Sequence, residues 1–579
     1  MFVKFLRLIG TLVVCGLLVL HGLSASAAGR IEVQVTPKST VLKKNIEAYI
    51  AHLAQGDLKS LQAAKRTVQQ QTRLASQALG YYQTHIVLRI SEGEEPVLHV
   101  EVERGDPVLL RTVTIKVAGE AAALPAFAIP DDKRLKVGAR LDHSAYDDMK
   151  SQLQNHALRF GFFAAHFTQS ELLIDPQIGA ADITLLFDSG PRYRLGKVHF
   201  SNHAKIDQAL LERLLPFTPG TPYNSALVAK LSQNLQSSGY FEQVRVDAVG
   251  TAQGPLDIPV EVSLEAIKPR TVSLGIGFST DVGPRGRFDW ERHRVNSYGH
   301  KLGFDSEISK PRQNVSTWYQ VPLQAPLTDY LRFSTGYQRE ELIDTDSRLI
   351  NIGVQWHARL PSEWLRVVSL RWEQEDYDFG QDSSEGRSSF LMPGVGYSVL
   401  RSDSPVDPSQ GYRLQWDVRG AKQGILADAD VLHVSALGRG VFTVAEKHRF
   451  LGRAQVGAIG TNNYSEVPPS LRFFAGGDQS VRGYDYQTLS PRDDQGNREG
   501  GRYMFAGSLE YQYSIAERWR VAAFVDQGNA FNSLGDKMNT GAGFGLRWVS
   551  PVGPLRLDLA HAFDEGKGWR IHFSMGPEL

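Results

Sequence analysis

Gly80-Tyr81-Tyr82, Gly161-Phe162-Phe163 and Gly239-Tyr240-Phe241 set the frame of this 579-residue chain. The glycines fall 161 − 80 = 81 and 239 − 161 = 78 residues apart, so a unit of nearly constant length occurs three times. A fixed period marks repeated folding units. The first unit opens with the alternating Ile31-Glu32-Val33-Gln34-Val35, and Ser39 is placed to cap the helix that follows. A second helical stretch runs from about Asp57 to Leu79. After the aromatics come two alternating runs, His85–Ile90 and Val97–Val102, joined at Glu92-Gly93-Glu94. The second unit restarts at Val108, carries the helical Ser144–Leu158 and ends in Asp182–Phe187. The third restarts at Tyr193, carries Asn224–Leu235 and ends in Val260–Leu264. The expected order is strand, helix, helix, strand, strand. Gly105-Asp106-Pro107 and Gly190-Pro191 punctuate the joints. The glycine of each triplet suits a left-handed helix end. The two aromatics then start a strand and plug a small core.

Composition and the first residues narrow the class. Lys+Arg and Asp+Glu are both 63, and a chain without basic excess does not read as a nucleic-acid binder. The 54 glycines suit a turn-rich β architecture. Residues 1–27 read as a secretory signal peptide, with Lys4 and Arg7, the apolar Leu8–Leu20 and the small Ala25-Ser26-Ala27. An uncleaved anchor is the rival reading, for which the apolar stretch is short. Cys15, the one cysteine, lies in this segment, so cleavage leaves no thiol chemistry. Beyond residue 27 no apolar run approaches the ~18 residues of a membrane helix.

From about Thr271 onward helical signals give way to strand-length alternation. Ile352, Val354, Trp356, Ala358 and Leu360 share one face against Asn351, Gly353, Gln355, His357 and Arg359. Leu555, Leu557 and Leu559 alternate with Arg556 and Asp558 in the same way. Runs of about ten residues with this pattern are the mark of a membrane β-barrel. A soluble sandwich would alternate too. Some 300 residues of alternation without cysteine, aromatic residues on the apolar faces and the export signal favour the barrel. Phe473 to Tyr484 breaks the strand pattern and reads as a long structured loop carrying Arg482. An arginine folded into a polar lumen needs carboxylate partners. The plain alternative makes it one of many lumen-lining arginines.

The triplets and their element order resemble the polypeptide-transport-associated (POTRA) domain. Val481-Arg482-Gly483-Tyr484 resembles the loop motif of the Omp85 superfamily of outer-membrane assembly and secretion barrels. Phe524–Asn529 and Trp548–Arg556 resemble that superfamily's last strands. The resemblance implies α+β N-terminal repeats, three βααββ POTRA domains, followed by an all-β barrel of 16 strands. The corresponding boundaries are 28–104, 105–189, 190–266 and 267–579. It also implies that Arg482 packs against Asp526 and Glu510. Here Gly576-Pro577-Glu578-Leu579 follows the last run in place of the terminal aromatic common in such barrels. Three units resemble the translocation and assembly module (TamA) branch, which implies an inner-membrane-anchored TamB-like partner and autotransporter clients.

No HExxH, GxxxxGK[ST] or GxSxG is present, so neither catalytic residues nor a cofactor or metal is expected. Gly541-Ala542-Gly543-Phe544-Gly545 alternates as a strand would. A strand cannot enter lipid with unpaired backbone groups. A barrel whose first strand (Leu274, Gly275, Ile276, Gly277) pairs weakly with its last (Trp569, Ile571, Phe573, Met575) could open sideways and template client strands. Glycines 275, 277, 568 and 576 suit such a seam. Exposed POTRA strand edges could take client segments by strand addition. The rival is a two-partner-secretion-type or passive pore with a docking stalk.

Overall fold

The computed structural model describes residues 30–576 apart from 54–57, 92–95, 202–205, 252, 380–384, 551–552 and 565–567. The expected signal peptide, the turn at 92–94, Pro551-Val552 and the end at 577–579 lie outside the described residues. Contacts divide the chain into two compact units. One holds the first two N-terminal modules and part of the third; the other holds the remainder with the barrel.

Each N-terminal module is a three-stranded sheet whose last strand in sequence lies in the middle. In the first, Val97–Glu103 is parallel to Arg30–Thr36 and antiparallel to His85–Ser91. Each outer strand is therefore laddered on one side only among the described residues. Helix Thr40–Ile50 starts where Ser39 Oγ accepts the Leu42 N–H at 3.3 Å. It buries Leu42, Ile46 and Ile50, a spacing that lines one helical face. Helix Leu58–Ala78 adds Leu61, Val68 and Ala75 to the same core. Each of the buried leucines, isoleucines and valines contributes about 1.5–3 kcal/mol on burial.

The second module departs from the expected order. Its first helix is replaced by two 3-10 turns, Glu120–Ala123 and Lys133–Leu135, and a single α-helix, His143–Phe160, follows. Pro125 and Pro130 lie between the turns, and a helix interior tolerates neither the missing N–H nor the ring.

The glycines of the triplets have φ of +81°, +83° and +72°, the left-handed region that ends a helix. The aromatics split between two tasks, a correction to the expectation that both plug their own core. Tyr81 and Phe162 are buried within their modules. Tyr82 instead reaches forward and bonds His143 Nε2 at 2.8 Å. Phe163 packs edge-on against Tyr193 and Tyr223 of the third module, centroids 5.4 and 5.0 Å apart. One backbone bond repeats at both joints: Gly80 C=O accepts Val108 N–H at 2.8 Å, and Gly161 C=O accepts Tyr193 N–H at 2.9 Å. In the third module Tyr240 Oη donates to Gly299 C=O at 2.7 Å, in the barrel. The period therefore encodes joints as well as cores.

Sixteen antiparallel strands, from Arg270–Ser279 to Trp569–Met575, form one sheet in sequence order. Ile350, Ile352, Trp356, Val368 and Leu370 are exposed on the outer wall. Glu373, Glu375, Arg449, Arg547 and Asp558 are buried on the inner one. Apolar outside and charged inside is the reverse of a soluble barrel and matches a wall that meets lipid.

Candidate functional site

The long segment 462–502 joins strands His448–Thr461 and Tyr503–Ala516 and folds into the lumen. It brings its own apolar core. Val467, Leu471, Ala475, Val481 and Leu489 pack with Phe390, Met392 and Ile459 of the wall. Gly476, Gly477 and Gly483 have φ near +100°, conformations that side chains with Cβ rarely adopt. The wall is thinned to receive the loop. A Cβ on Gly541 would overlap the Arg482 carbonyl oxygen, and one on Gly545 would overlap Asp558 Oδ1. The alternating glycine run 541–545 is thus a recess on the inner face.

Arg482 is 5% exposed and sits at the centre of that recess. Its Nε donates to Asp526 Oδ2 at 2.7 Å and its Nη2 to Asp526 Oδ1 at 2.9 Å, a bidentate pair. The Arg482 backbone N–H reaches the same Oδ2 at 3.0 Å. Nη1 meets Glu510 Oε2 at 2.7 Å and Asp558 Oδ2 at 3.2 Å. The guanidinium carbon lies 3.4 Å from the Phe524 ring centroid. Glu510 and Asp558 are shared with Arg547, at 2.8 and 2.6 Å. Asp526 and Glu510, named from sequence, therefore both contact Arg482. Asp558, Arg547 and Phe524 were missed. Their inward parity was legible, but not their convergence from four strands. Val481 and Tyr484 are buried beside Arg482, with Tyr484 Oη donating to Thr540 C=O at 3.3 Å.

A second cluster ties this loop to both ends of the sheet. Gly483 N–H donates to His572 Nε2 at 2.8 Å, and His572 Nδ1 lies 2.5 Å from Asp478 Oδ1. With Nε2 an acceptor, the proton resides on Nδ1 and is donated to Asp478. Asp478 also accepts from Thr280 Oγ1 at 3.0 Å, while its backbone N–H donates to Asp281 Oδ2 at 2.8 Å. Burial, then the Asp478 charge, pushes the Asp281 carboxyl up to about 7. Asp281, Asp478 and His572 place three ligand-type atoms within 4.8 Å of one another. A cation on Nδ1 would need a proton on Nε2, where the Gly483 N–H already points. The trio is thus built for hydrogen bonding.

The first and last strands share no ladder among the described residues. By contrast the last strand makes seven register pairs with its other neighbour. Across the gap Thr280 N–H donates to Phe573 C=O at 3.0 Å, and Phe573 N–H donates to Thr280 Oγ1 at 3.0 Å. The Phe278 and Phe573 rings meet at a tilt of 44°, centroids 6.0 Å apart. Leu274 and Ile276 are 80% and 92% exposed, and Trp569 and Ile571 are exposed on the same outer face. Gly275 and Gly277 fall on the opposite parity, and Met575 closes the last strand.

A sheet of this order with an arginine-bearing loop in its lumen is matched by the Omp85 superfamily domain over residues 260–578. The chain belongs to the Omp85 superfamily. POTRA domain TamA domain 1 matches residues 32–104, and the surface antigen variable number repeat, a POTRA unit, matches 193–265. The outer membrane protein assembly factor BamA of Nitratidesulfovibrio vulgaris is 24% identical over 480 residues, covering 77% of this chain and 60% of the relative. That of Neisseria meningitidis is 20% identical, covering 80% and 66%. The chain thus spans about two thirds or less of the length of these relatives. The crystal structure of BamA from Haemophilus ducreyi lacking POTRA domains 1–3 shares the fold, with TM-score 0.68 at 15% identity over 81% of this chain and 99% of that one. This Omp85 barrel resides in the bacterial outer membrane, with its POTRA domains in the periplasm.

Proposed function

We propose that this Omp85 protein inserts or translocates β-rich outer-membrane clients, autotransporters among them, by opening between its first and last strands. The observation that carries the reading is the seam. Among the described residues one backbone hydrogen bond and one threonine side chain span a gap where every other pair of neighbouring barrel strands has a ladder. An unpaired strand edge facing lipid is costly and favours pairing with an incoming strand. The outer strands of the POTRA sheets, each laddered on one side only, suit extended client segments. An inner-membrane-anchored TamB-like protein is the proposed partner, in keeping with the TamA-type first domain.

The test is to bridge Phe278→Cys and Phe573→Cys with a short bifunctional thiol reagent in the otherwise cysteine-free mature chain. Client insertion should fall at least tenfold. Insertion that continues unchanged with the seam bridged refutes lateral opening, and wild-type conductance in the same protein would then favour the pore reading.

A further inference from the structure

Three arginines stand in one row on the lumen wall. Arg413 is in register with Arg439, and Arg439 with Arg453, across three adjacent strands. Strands lie about 4.8 Å apart, and like charges directly opposite one another destabilise a sheet. Their hydrogen-bond partners are neutral: Gln415 Oε1 at 3.2 Å, Gln479 Oε1 at 3.2 Å and the Ser480 carbonyl at 2.7 Å. Arg439 Nε is buried and has no partner. The nearby carboxylates are bound elsewhere, Asp526 by Arg482, and Glu510 and Asp558 by Arg482 and Arg547. Among the described residues none pairs with the row. A polar cavity of about 50 Å³ adjoins Arg439 and Arg453 and is lined also by Gln479, Arg556 and the carboxylates Asp478, Glu510 and Asp558. That is room for a few waters, while Arg413 stands outside it.

The row also has a definite position. Arg413 lies near the start of Gln410–Ala421, the ninth barrel strand. Odd-numbered strands of an antiparallel barrel all start on the side where the chain enters, here the periplasmic side. The neighbouring Tyr412, Leu414 and Phe442 face outward to lipid. Phosphates of the bilayer therefore meet the opposite face of this wall. We propose that the Arg413–Arg439–Arg453 row binds carboxylates of an acidic polypeptide segment entering the lumen from the periplasm. This rests on the assembly reading only for the source of the segment; the anion chemistry stands on the row itself. Arginine suits the task because it stays charged and presents several donors to a carboxylate.

The probe is a fluorescein-labelled octapeptide of alternating glutamate and alanine, titrated by anisotropy onto the full chain in nanodiscs. Arg413→Gln with Arg439→Gln should raise its Kd at least tenfold, Arg413→Gln alone should give an intermediate value, and millimolar inorganic phosphate should compete. A lysine–alanine peptide should not bind. An unchanged Kd in the double variant, with circular dichroism reporting an intact barrel, overturns the proposal. So does equal binding of the lysine peptide. Saturable binding of short-chain phosphatidylglycerol that the arginine substitutions abolish, with no peptide binding, assigns the site to lipid and equally overturns it. Peptide binding should persist with the seam bridged, so failure of lateral opening and failure of this site are read separately.

Discussion

Arg482→Ala should loosen the lumen loop more than Asp526→Ala, although the two residues form one bidentate pair. The recess holds two guanidiniums, Arg482 and Arg547, against three carboxylates, Asp526, Glu510 and Asp558. Removing Asp526 costs three hydrogen bonds to Arg482 but leaves two charges facing two. Nη2 keeps Ser508 Oγ and Nη1 keeps Glu510 and Asp558, so the guanidinium stays held and the net loss should be that of one hydrogen bond to a charged group, about 1.5–3 kcal/mol. Removing Arg482 leaves three buried carboxylates with one guanidinium, the uncompensated case that costs about 3–5 kcal/mol. At about 1.4 kcal/mol per decade, loop opening should rise roughly 10- to 100-fold for Asp526→Ala and 100- to 3000-fold for Arg482→Ala. Hydrogen exchange of the backbone amides of 476–484 in lipid nanodiscs measures local opening directly. Exchange as fast in Asp526→Ala as in Arg482→Ala would refute the charge-balance reasoning. Less than a twofold rise in both would refute the anchoring itself.

Gly541→Ala should mimic Arg482→Ala, since the added Cβ overlaps the Arg482 carbonyl; the same exchange measurement checks it, and wild-type protection would be the contrary result. Phe524→Ala removes the ring 3.4 Å from the guanidinium and should cost about 3–5 kcal/mol, whereas Phe524→Leu should recover the packing and lose only the cation–π part of about 2 kcal/mol; chemical denaturation in lipid separates the two. The raised Asp281 carboxyl retains in the folded protein a proton that the unfolded chain loses near the ordinary carboxylate value. Ionising this buried carboxyl beside Asp478 therefore costs folding stability progressively as pH rises from about 4 to about 7, so the thermal midpoint should fall from pH 5 to pH 7, and Asp281→Asn should shrink that fall.

The repeat and the alternation were legible because they are local. A helix end that needs positive φ calls for glycine at 80, 161 and 239, and a wall between lipid and water imposes a period of two on some 300 residues. The same parity marked Asp526, Glu510 and Asp558 as inward-facing. What the residues alone did not disclose is where the chain turns back on itself. Tyr82 and Phe163 look like core aromatics until the next module stands beside them. Two prolines removed a helix from the second module while its period stayed almost unchanged.

The long-range contacts depend on how the barrel curls and how deeply the loop descends. Arg482 meets Asp558 across 76 residues, Asp478 meets His572 across 94, and Thr280 meets Phe573 across 293. No local pattern encodes such pairings. Sequence determined the kind of object, three POTRA modules and a barrel with an arginine loop. Tertiary structure alone decided that Asp558 and Arg547 join Arg482 and that the loop also grips both edges of the seam, because strand register and closure bring distant inward-facing charges into one buried, low-dielectric recess.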